Sequence, residues 1–329
     1  MEANPFTMYP PAITCSSLGD PTIYPIEEKL KRAALCRFTG VEISFEEVLE
    51  EAKLGSWMDY PSSRDLESAA SRIHKLCRVL GLEVVAFGPI QCFEGLRNRV
   101  RYRAMKDTLS TRFQIAKALG TKTIIVTANH LRVEEVSEDY ILSDLKDLSD
   151  FASKEDPSIS IAYSFTCHST FVNKWKKAWD IVKSIDRSNF GICLNTFQVA
   201  TALACDTEQT YTTNLAHLVE IPLDKVLHVQ VSGAAPLTAP LIAGHPWYHP
   251  RESTWLSWSK KGKRFPFECP NPGQNFMEKV AAYTIRALRY KDRLTFERST
   301  TIEEKEPNVP ADCARRGMIA WYKLKNHLG

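Results

Sequence analysis

The sequence predicts an α/β protein, a single (β/α)8 TIM barrel that occupies residues 1–329. Short apolar runs alternate with longer amphipathic segments along the whole chain, as in repeated strand and helix units with parallel strands. Eight such runs in a chain of 329 residues match the usual size of this barrel. The runner-up is a doubly wound open sheet, but no GxGxxG or GxxxxGK[ST] motif follows a strand, which removes its common phosphate-binding forms.

Eight strands and six clear helices are predicted. The strands are residues 12–15, 41–43, 83–87, 123–127, 159–163, 190–194, 226–231 and 294–296. The helical patterns are residues 65–80, 97–119, 136–152, 171–185, 275–287 and 311–326. Gly81 and Gly120 each stand where a helix should end before the next strand.

The longest stretch without a regular pattern is residues 232–272, which contains seven prolines and several tryptophans and phenylalanines. Loops of this length are usually lids, binding loops or linkers. Its aromatic content argues against a linker. We therefore expect it to fold over the mouth of the barrel and after the seventh strand; a surface loop held by its own aromatics is the alternative.

Composition narrows the class of protein. The chain has 42 basic and 39 acidic residues, a formal charge of +3, too small and too scattered for a nucleic-acid or anionic-membrane surface. A small-molecule partner fits better. Nine cysteines without paired spacing, no leader-like first residues and no apolar run of about 18 residues predict a cytoplasmic protein with reduced thiols and no membrane span.

Several segments resemble one known family. They include GVEISFEEVLEEA, FGPIQCFEGLRNR, ALGTKTIIVTANHL, SIDRSNFGICLNTFQVA, AGHPWYHP and VPADCARRGMIAWYKL. In this order they are similar to segments of the xylose-isomerase-like TIM-barrel sugar isomerases and epimerases, and most closely to the fungal 3-dehydroshikimate dehydratases. The resemblance implies the barrel fold, and it says less about the reaction. The resemblance does not determine whether the protein forms a homo-oligomer.

The resemblance also implies a divalent metal site whose ligand positions are substituted here. The family's four ligands, on the fifth to eighth strands, fall on Ser164, Asn195, Gln230 and Thr295. A slip of two residues keeps the same strand face and would bring Glu297 to the fourth position. Magnesium and manganese need anionic carboxylate oxygens, so we expect neither a metal nor another cofactor.

Four residues are candidates for acid–base catalysis. The family's catalytic histidine falls on Phe171, so the usual base is missing. His130 and His168 follow neighbouring strands, and histidine exchanges protons near neutral pH. Glu42 lies inside the second strand and Glu297 follows the eighth. The alternatives are packing roles for the histidines and a structural ion pair for Glu42.

Further residues at strand ends are candidates for substrate binding: Glu94, Ser164, Phe171, Asn195, Phe197, Gln230, Trp258, Lys260 and Thr295. Glu94 has an alternative role in organising its loop. Lys260 and Lys263 stand where the dehydratases carry arginines that hold an anionic substrate, and lysine lacks the bidentate fork of arginine. We expect a pocket that is less charged and more apolar than the family's, with Phe165, Phe197 and Phe296 in its wall.

The leading hypothesis is a metal-independent isomerase, cyclase or lyase that acts on a small organic intermediate of fungal specialised metabolism. Positioning and a few hydrogen bonds would replace the metal ion as the source of catalysis. Two alternatives remain open. One is a metal-dependent dehydratase or epimerase with a rebuilt site, and the other is a non-catalytic pseudoenzyme or binding protein.

Overall fold

The computed structural model describes residues 8–55, 61–203, 208–237, 239–268, 276–300 and 308–329. Eight parallel strands close into a barrel in the spatial order β1, β10, β7, β6, β5, β4, β3, β2. The strands are β1 (Pro11–Thr14), β2 (Gly40–Ile43), β3 (Glu83–Ile90), β4 (Thr123–Thr127), β5 (Ser160–Ser164), β6 (Phe190–Asn195), β7 (Val226–Val231) and β10 (Leu294–Phe296). The predicted (β/α)8 fold is confirmed.

Helices follow the strands on the outside of the barrel. They are α1 (Ile26–Leu35), α2 (Phe45–Leu54), α3 (Ser63–Val79), α4 (Arg99–Asp107), α5 (Leu109–Ala118), α6 (Glu138–Glu155), α7 (Trp175–Ile185), α8 (Thr196–Ala202), α9 (Glu208–Ala216), α10 (Thr254–Gly262), α11 (Phe276–Ala287) and α12 (Val309–Leu328). None of the described helices is long and apolar enough to cross a membrane.

Two expectations about the elements were wrong. The single helix predicted over residues 97–119 is two helices that meet at Thr108, whose hydroxyl donates to the Met105 carbonyl and ends α4. The stretch 232–272 is not wholly irregular. It contains α10, which begins where the Ser253 hydroxyl accepts a hydrogen bond from the Leu256 amide, and the two-stranded antiparallel sheet of β8 (Gly233–Ala234) and β9 (Lys263–Arg264).

Two layers of apolar side chains hold the barrel together. The larger lies between the strands and the surrounding helices. The smaller lies apart from it and consists of Ala86, Ile125, Ala162 and Cys193, one residue from each of four neighbouring strands. Three of these four side chains are small, which leaves room for polar groups in the interior of the barrel.

A buried ion pair joins α1 to α2. The Lys29 ammonium lies 2.7 Å from Glu47 Oε1 and also donates to the Gly19 carbonyl, and both side chains are almost inaccessible to water. Burial raises the pKa of Glu47 above its usual value, although the Lys29 charge opposes that rise. Removing only the lysine would leave an uncompensated buried carboxylate.

Replacing Lys29 with Met should therefore lower the free energy of unfolding by about 3–5 kcal/mol at neutral pH. Urea denaturation followed by circular dichroism measures it. The matched control is Lys31→Met, which breaks the exposed pair with Glu27 and should cost less than about 1 kcal/mol. Equal effects of the two substitutions would contradict this account, and Glu47→Leu added to Lys29→Met should restore part of the loss.

Candidate active site

A cavity of about 290 Å³ opens at one end of the barrel. Thr14, Thr127, Ser164 and Asn195 line it, and each is the last residue of its strand. The cavity therefore lies at the carboxyl ends of the strands, where (β/α)8 enzymes carry their active sites. Eight of the predicted site residues line it: Glu42, His130, Ser164, His168, Asn195, Gln230, Lys260 and Glu297.

The two amide side chains on β6 and β7 have defined orientations. Asn195 caps the start of α8, where its Oδ1 accepts from the backbone amide of Phe197 at 3.0 Å. That bond turns its Nδ2 toward Gln230 Oε1, at 2.9 Å, and Glu297 Oε2, at 2.7 Å. Asn195 thus presents N–H donors to this part of the site, and its oxygen is used elsewhere.

Glu297 and Lys263 form an ion pair beside these amides. The Lys263 ammonium lies 2.8 Å from both carboxylate oxygens of Glu297, and the Ser232 hydroxyl donates to the same carboxylate at 3.2 Å. Burial raises the pKa of Glu297, but the Lys263 charge and the hydrogen bonds from Lys263, Asn195 and Ser232 outweigh it and bring the pKa below its usual value. The carboxylate is therefore ionised at neutral pH.

The chain places Lys263 there through β9, which pairs with β8 next to the end of β7. The Lys263 backbone carbonyl also accepts from Ser299, which follows β10. Its ammonium lies 5.6 Å from the centre of the Phe197 ring, a favourable distance for a cation and an aromatic face. These contacts fix a positive charge between the ends of β6, β7 and β10.

The residues present do not fit a divalent cation. Such an ion requires oxygen lone pairs that are free to coordinate it. Here Gln230 Oε1 and both Glu297 oxygens already accept N–H donors, and Asn195 turns its N–H groups inward. Within the described ranges, no cluster of three or more His, Cys, Asp or Glu side chains could hold a metal.

A second cluster of hydrogen-bonded polar side chains, Glu42, Gln230 and His228, lies in the interior of the barrel below the Lys263–Glu297 ion pair. Gln230 Nε2 donates to both oxygens of Glu42, at 3.0 and 2.9 Å, and His228 Nε2 lies 2.9 Å from Glu42 Oε2. All three residues are buried. Hydrogen bonds therefore connect Glu42 through Gln230 and Asn195 to Glu297, and they leave the Glu42 carboxylate in the cavity wall.

His130 and His168 meet on the opposite part of the wall, with ring centres 5.3 Å apart in an edge-to-face arrangement. Burial lowers the pKa of His168 to about 3, and His130, Lys263 and Lys260 add to the effect. Burial, followed by the Lys260 charge, also lowers the pKa of His130. Both imidazoles are therefore neutral at pH 7, and Cys92 Sγ lies 3.7 Å from His130 Nδ1.

The two loops that carry these histidines are hydrogen-bonded to each other. The backbone carbonyl of Asn129 accepts from the Ser169 hydroxyl at 2.8 Å and from the Thr170 amide at 3.1 Å. The Leu131 carbonyl accepts from the Thr170 hydroxyl. These bonds keep His130 beside His168.

Glu94 lies behind this wall and outside the cavity lining, although it was expected to bind substrate. Its Oε1 accepts from the Asn129 amide at 2.7 Å and from the Tyr163 hydroxyl at 3.1 Å. Its Oε2 is buried without a hydrogen-bond partner among the described residues. Burial raises the pKa of Glu94 to about 7. Its contacts therefore make Glu94 a support for the His130 loop.

Four other residues expected to bind substrate also lie outside the lining: Phe171, Phe197, Trp258 and Thr295. Phe197 is fully buried against Trp258, and Thr295 is fully buried within β10. Phe171 packs against the core from the loop after β5. Thr295 pairs in register with Gln230, and Glu297, two residues later, is the residue of this segment that reaches the cavity.

The expectation that Phe165, Phe197 and Phe296 stand in the wall of the pocket was wrong. Phe165, Phe197 and Phe296 belong to the core between the barrel and its helices, so they face away from the cavity. Hydroxyl, amide, imidazole and charged groups make up most of the wall.

Two residues of this site were missing from the predicted set, Lys263 and His228. Lys263 stands in the run Lys260, Lys261, Lys263 and Arg264, which is typical of a solvated surface. The available signal was the resemblance to the dehydratases, which carry a substrate-holding arginine at the position of Lys263. His228 was interpreted as a satisfied core histidine, and its bond to Glu42 does satisfy it.

Comparisons with known proteins agree with this architecture. The family model described as "Xylose isomerase-like TIM barrel" matches residues 30–312. A 3-dehydroshikimate dehydratase of Neurospora crassa is 31% identical over 96% of this chain and 94% of its own length. A 3-dehydroshikimate dehydratase of Pseudomonas aeruginosa is 27% identical over 79% of this chain and 35% of its own length.

Among solved structures, a xylose isomerase-like TIM barrel/4-hydroxyphenylpyruvate dioxygenase fusion protein superposes with a TM-score of 0.73 at 22% identity. The superposition covers 98% of this chain and 43% of the fusion protein. This likeness concerns the fold.

Glu94 should make stability depend on pH. Its pKa is near 4.3 in an unfolded chain and about 7 in the folded protein, so the folded state binds the extra proton between these values. The contribution of Glu94 to the free energy of unfolding therefore falls as the pH rises through that window, by about 4 kcal/mol in all. Glu94→Gln should gain stability relative to the wild type from pH 4.5 to pH 8, as measured by urea denaturation at each pH.

The control for this prediction is Glu134→Gln, at an exposed position of the loop after β4. Its stability should follow the wild-type pH dependence. A constant difference between Glu94→Gln and the wild type across the pH range would show that the Glu94 carboxyl does not titrate as described.

Proposed function

The chain belongs to the xylose isomerase-like TIM barrel family, and from that premise we propose that it is a lyase or isomerase that acts on a small carbonyl compound without a divalent cation. The dehydratase relatives support an enzyme of lyase or isomerase type. The observation that carries the proposal of metal independence is the Lys263 ammonium, held 2.8 Å from both oxygens of Glu297 at the ends of β6, β7 and β10.

In this proposal Lys263 supplies a fixed N–H donor to the substrate oxygen, in the place where a metal ion would otherwise bind that oxygen. An ammonium group has three N–H donors, and two hydrogen bonds to Glu297 leave one for a substrate oxygen. A fixed donor in a partly buried site stabilises negative charge that develops on that oxygen in the transition state. Glu297, Phe197 and the β8–β9 pairing hold the donor in place before the substrate binds.

Two groups can transfer protons. His130 is neutral at pH 7 because burial and Lys260 lower its pKa, so it can accept a proton from a carbon next to the carbonyl group. His168 is a weaker base, since its pKa is about 3; it orients His130 by edge-to-face contact. Glu42 lines the cavity as a carboxylate that accepts from Gln230, and we assign it the role of a second base.

These roles define a reaction class. His130 removes a proton beside the carbonyl group, and Lys263 stabilises the negative charge that moves to the carbonyl oxygen. If the next carbon carries a hydroxyl group, protonated His130 gives the proton to that group, which leaves as water with the electron pair of its C–O bond while the C–C double bond forms, and the reaction is a dehydration. If it does not, return of the proton to another carbon completes an isomerisation.

The enzyme should need no added metal. Purified protein should contain less than stoichiometric Mg, Mn and Zn by elemental mass spectrometry. Turnover in EDTA should equal turnover without it, because the positive charge belongs to the chain. The assay uses 3-dehydroshikimate, 3-dehydroquinate and their methyl esters, and liquid chromatography with mass spectrometry detects loss of water or an isomer of unchanged mass. Activity that disappears with EDTA and returns with manganese would contradict metal independence.

Lys263→Met should lower kcat/KM by about 10²–10³-fold in the same assay, because it removes the donor to the developing oxyanion. Lys263→Arg keeps the charge and should retain a larger share of the rate. Lys323→Met, on the exposed face of α12, is the matched control and should behave like the wild type. A Lys263→Met enzyme that folds normally and keeps the wild-type rate would remove Lys263 from the mechanism.

A further inference from the structure

The ion pair between Glu297 and Lys263 also bears on which ligands the cavity accepts. We infer that Glu297 is a specificity determinant: by holding Lys263, it excludes ligands that carry a carboxylate and restricts the cavity to uncharged compounds. The inference rests on the proposed function only in placing the ligand in this cavity. It concerns binding, so it can be tested without turnover.

Both lysines that line the cavity are already paired with acids. Lys263 is bound to Glu297 at 2.8 Å, and Lys260 is bound to Glu252 at 2.6 Å. No arginine is among the lining residues that the structure describes. The two lining histidines add no charge at pH 7, because burial and the neighbouring lysines lower their pKa values. A carboxylate that enters the cavity therefore finds no unpaired cation among the described lining residues.

The acids of the site act against a carboxylate as well. Glu42 lines the cavity with its carboxylate bound by Gln230 and His228. In the described chain no lysine or arginine lies within ion-pair distance of it. Glu297 is held as a carboxylate by the Lys263 ammonium and by hydrogen bonds from Asn195 and Ser232. Like charges in a partly buried cavity repel more strongly than in water.

The two lysines differ in how strongly they would attract a carboxylate ligand. The Lys260 side chain is 54% exposed, whereas that of Lys263 is 11% exposed. Water and salt screen a charge at the rim, so Lys260 attracts an anion only weakly. Lys263 would bind a carboxylate strongly if it were free, and Glu297 prevents this.

The remaining wall suits an uncharged compound with hydroxyl or carbonyl groups. It offers hydroxyl and amide side chains, which bind neutral oxygens without a net charge. These are Thr14, Ser16, Ser44, Gln91, Thr127, Ser164, Thr166, Gln198 and Ser259.

The test compares one carboxylate with its neutral ester by isothermal titration calorimetry in EDTA. Shikimate and methyl shikimate lack a ketone, so they report binding alone. The wild type should bind the ester more tightly by about tenfold, a difference of about 1.4 kcal/mol. Glu297→Gln keeps the shape of the side chain and one accepting oxygen, but it removes the negative charge that pairs with Lys263. It should therefore gain about tenfold or more in affinity for shikimate, and the preference should reverse.

Glu252→Gln is the matched control, because it frees the exposed Lys260 in the same way. It should change shikimate affinity by less than about twofold. Adding Lys263→Met to Glu297→Gln should abolish the gained affinity. Circular dichroism confirms that each variant is folded.

Two results would overturn the inference. One is a wild type that binds shikimate as tightly as its ester. The other is a folded Glu297→Gln variant that gains no affinity for shikimate. This second result overturns the inference even if the wild type binds neither shikimate nor its ester. Either result leaves the chelation experiment unaffected, so this inference and the metal-independent mechanism can fail separately.

Discussion

The site depends on one ion pair, between Lys263 and Glu297, and on the amides that fix it. Glu297 would be a costly buried charge without its partner. Lys263 holds it ionised, and Asn195 and Ser232 bind the same carboxylate. Because Asn195 also donates to Gln230, and Gln230 to Glu42, the orientation of one ion pair carries through to the interior of the barrel.

The barrel makes this network possible in two ways. The inward residues Ala86, Ala162 and Cys193 are small, so Glu42, His228 and Gln230 fit inside a layer that bulky apolar residues fill in many barrels of this type. The carboxyl ends of the strands then bring together side chains that are far apart in sequence. His130 and His168 meet because hydrogen bonds join the loops after β4 and β5.

Much of the fold could be predicted from the sequence, and the site only in part. The eight strands are recognisable because apolar runs such as residues 123–127 and 226–231 are buried on both faces. Ser164, Asn195 and Gln230 were predictable because a strand end fixes their position. The alternation of side chains along a strand could not decide between Thr295 and Glu297, because these two residues share a strand face. Only the end of β10 determines which of them reaches the cavity.

The residues that escaped prediction come from segments whose position depends on distant contacts. Lys263 reaches the site through its pairing with β8, and nothing local in the run of basic residues indicates this partner. Glu94 and Phe197 occupy positions near strand ends, but the loop turns Glu94 toward Tyr163 and the core encloses Phe197. A sequence shows that a side chain is near a strand end, and tertiary packing decides which way it points.

In the proposed mechanism the substrate is held by the ammonium of Lys263, which is part of the polypeptide, and this limits how the substrate can be bound. A metal ion accepts two oxygens of one molecule at once and forms a five-membered chelate with neighbouring oxygens. An ammonium group that spends two of its three hydrogens on Glu297 grips a single oxygen by one hydrogen bond. The rest of the substrate must then be oriented by the hydroxyl-rich wall of the cavity. The shape of that wall sets the orientation that a chelating ion would otherwise set.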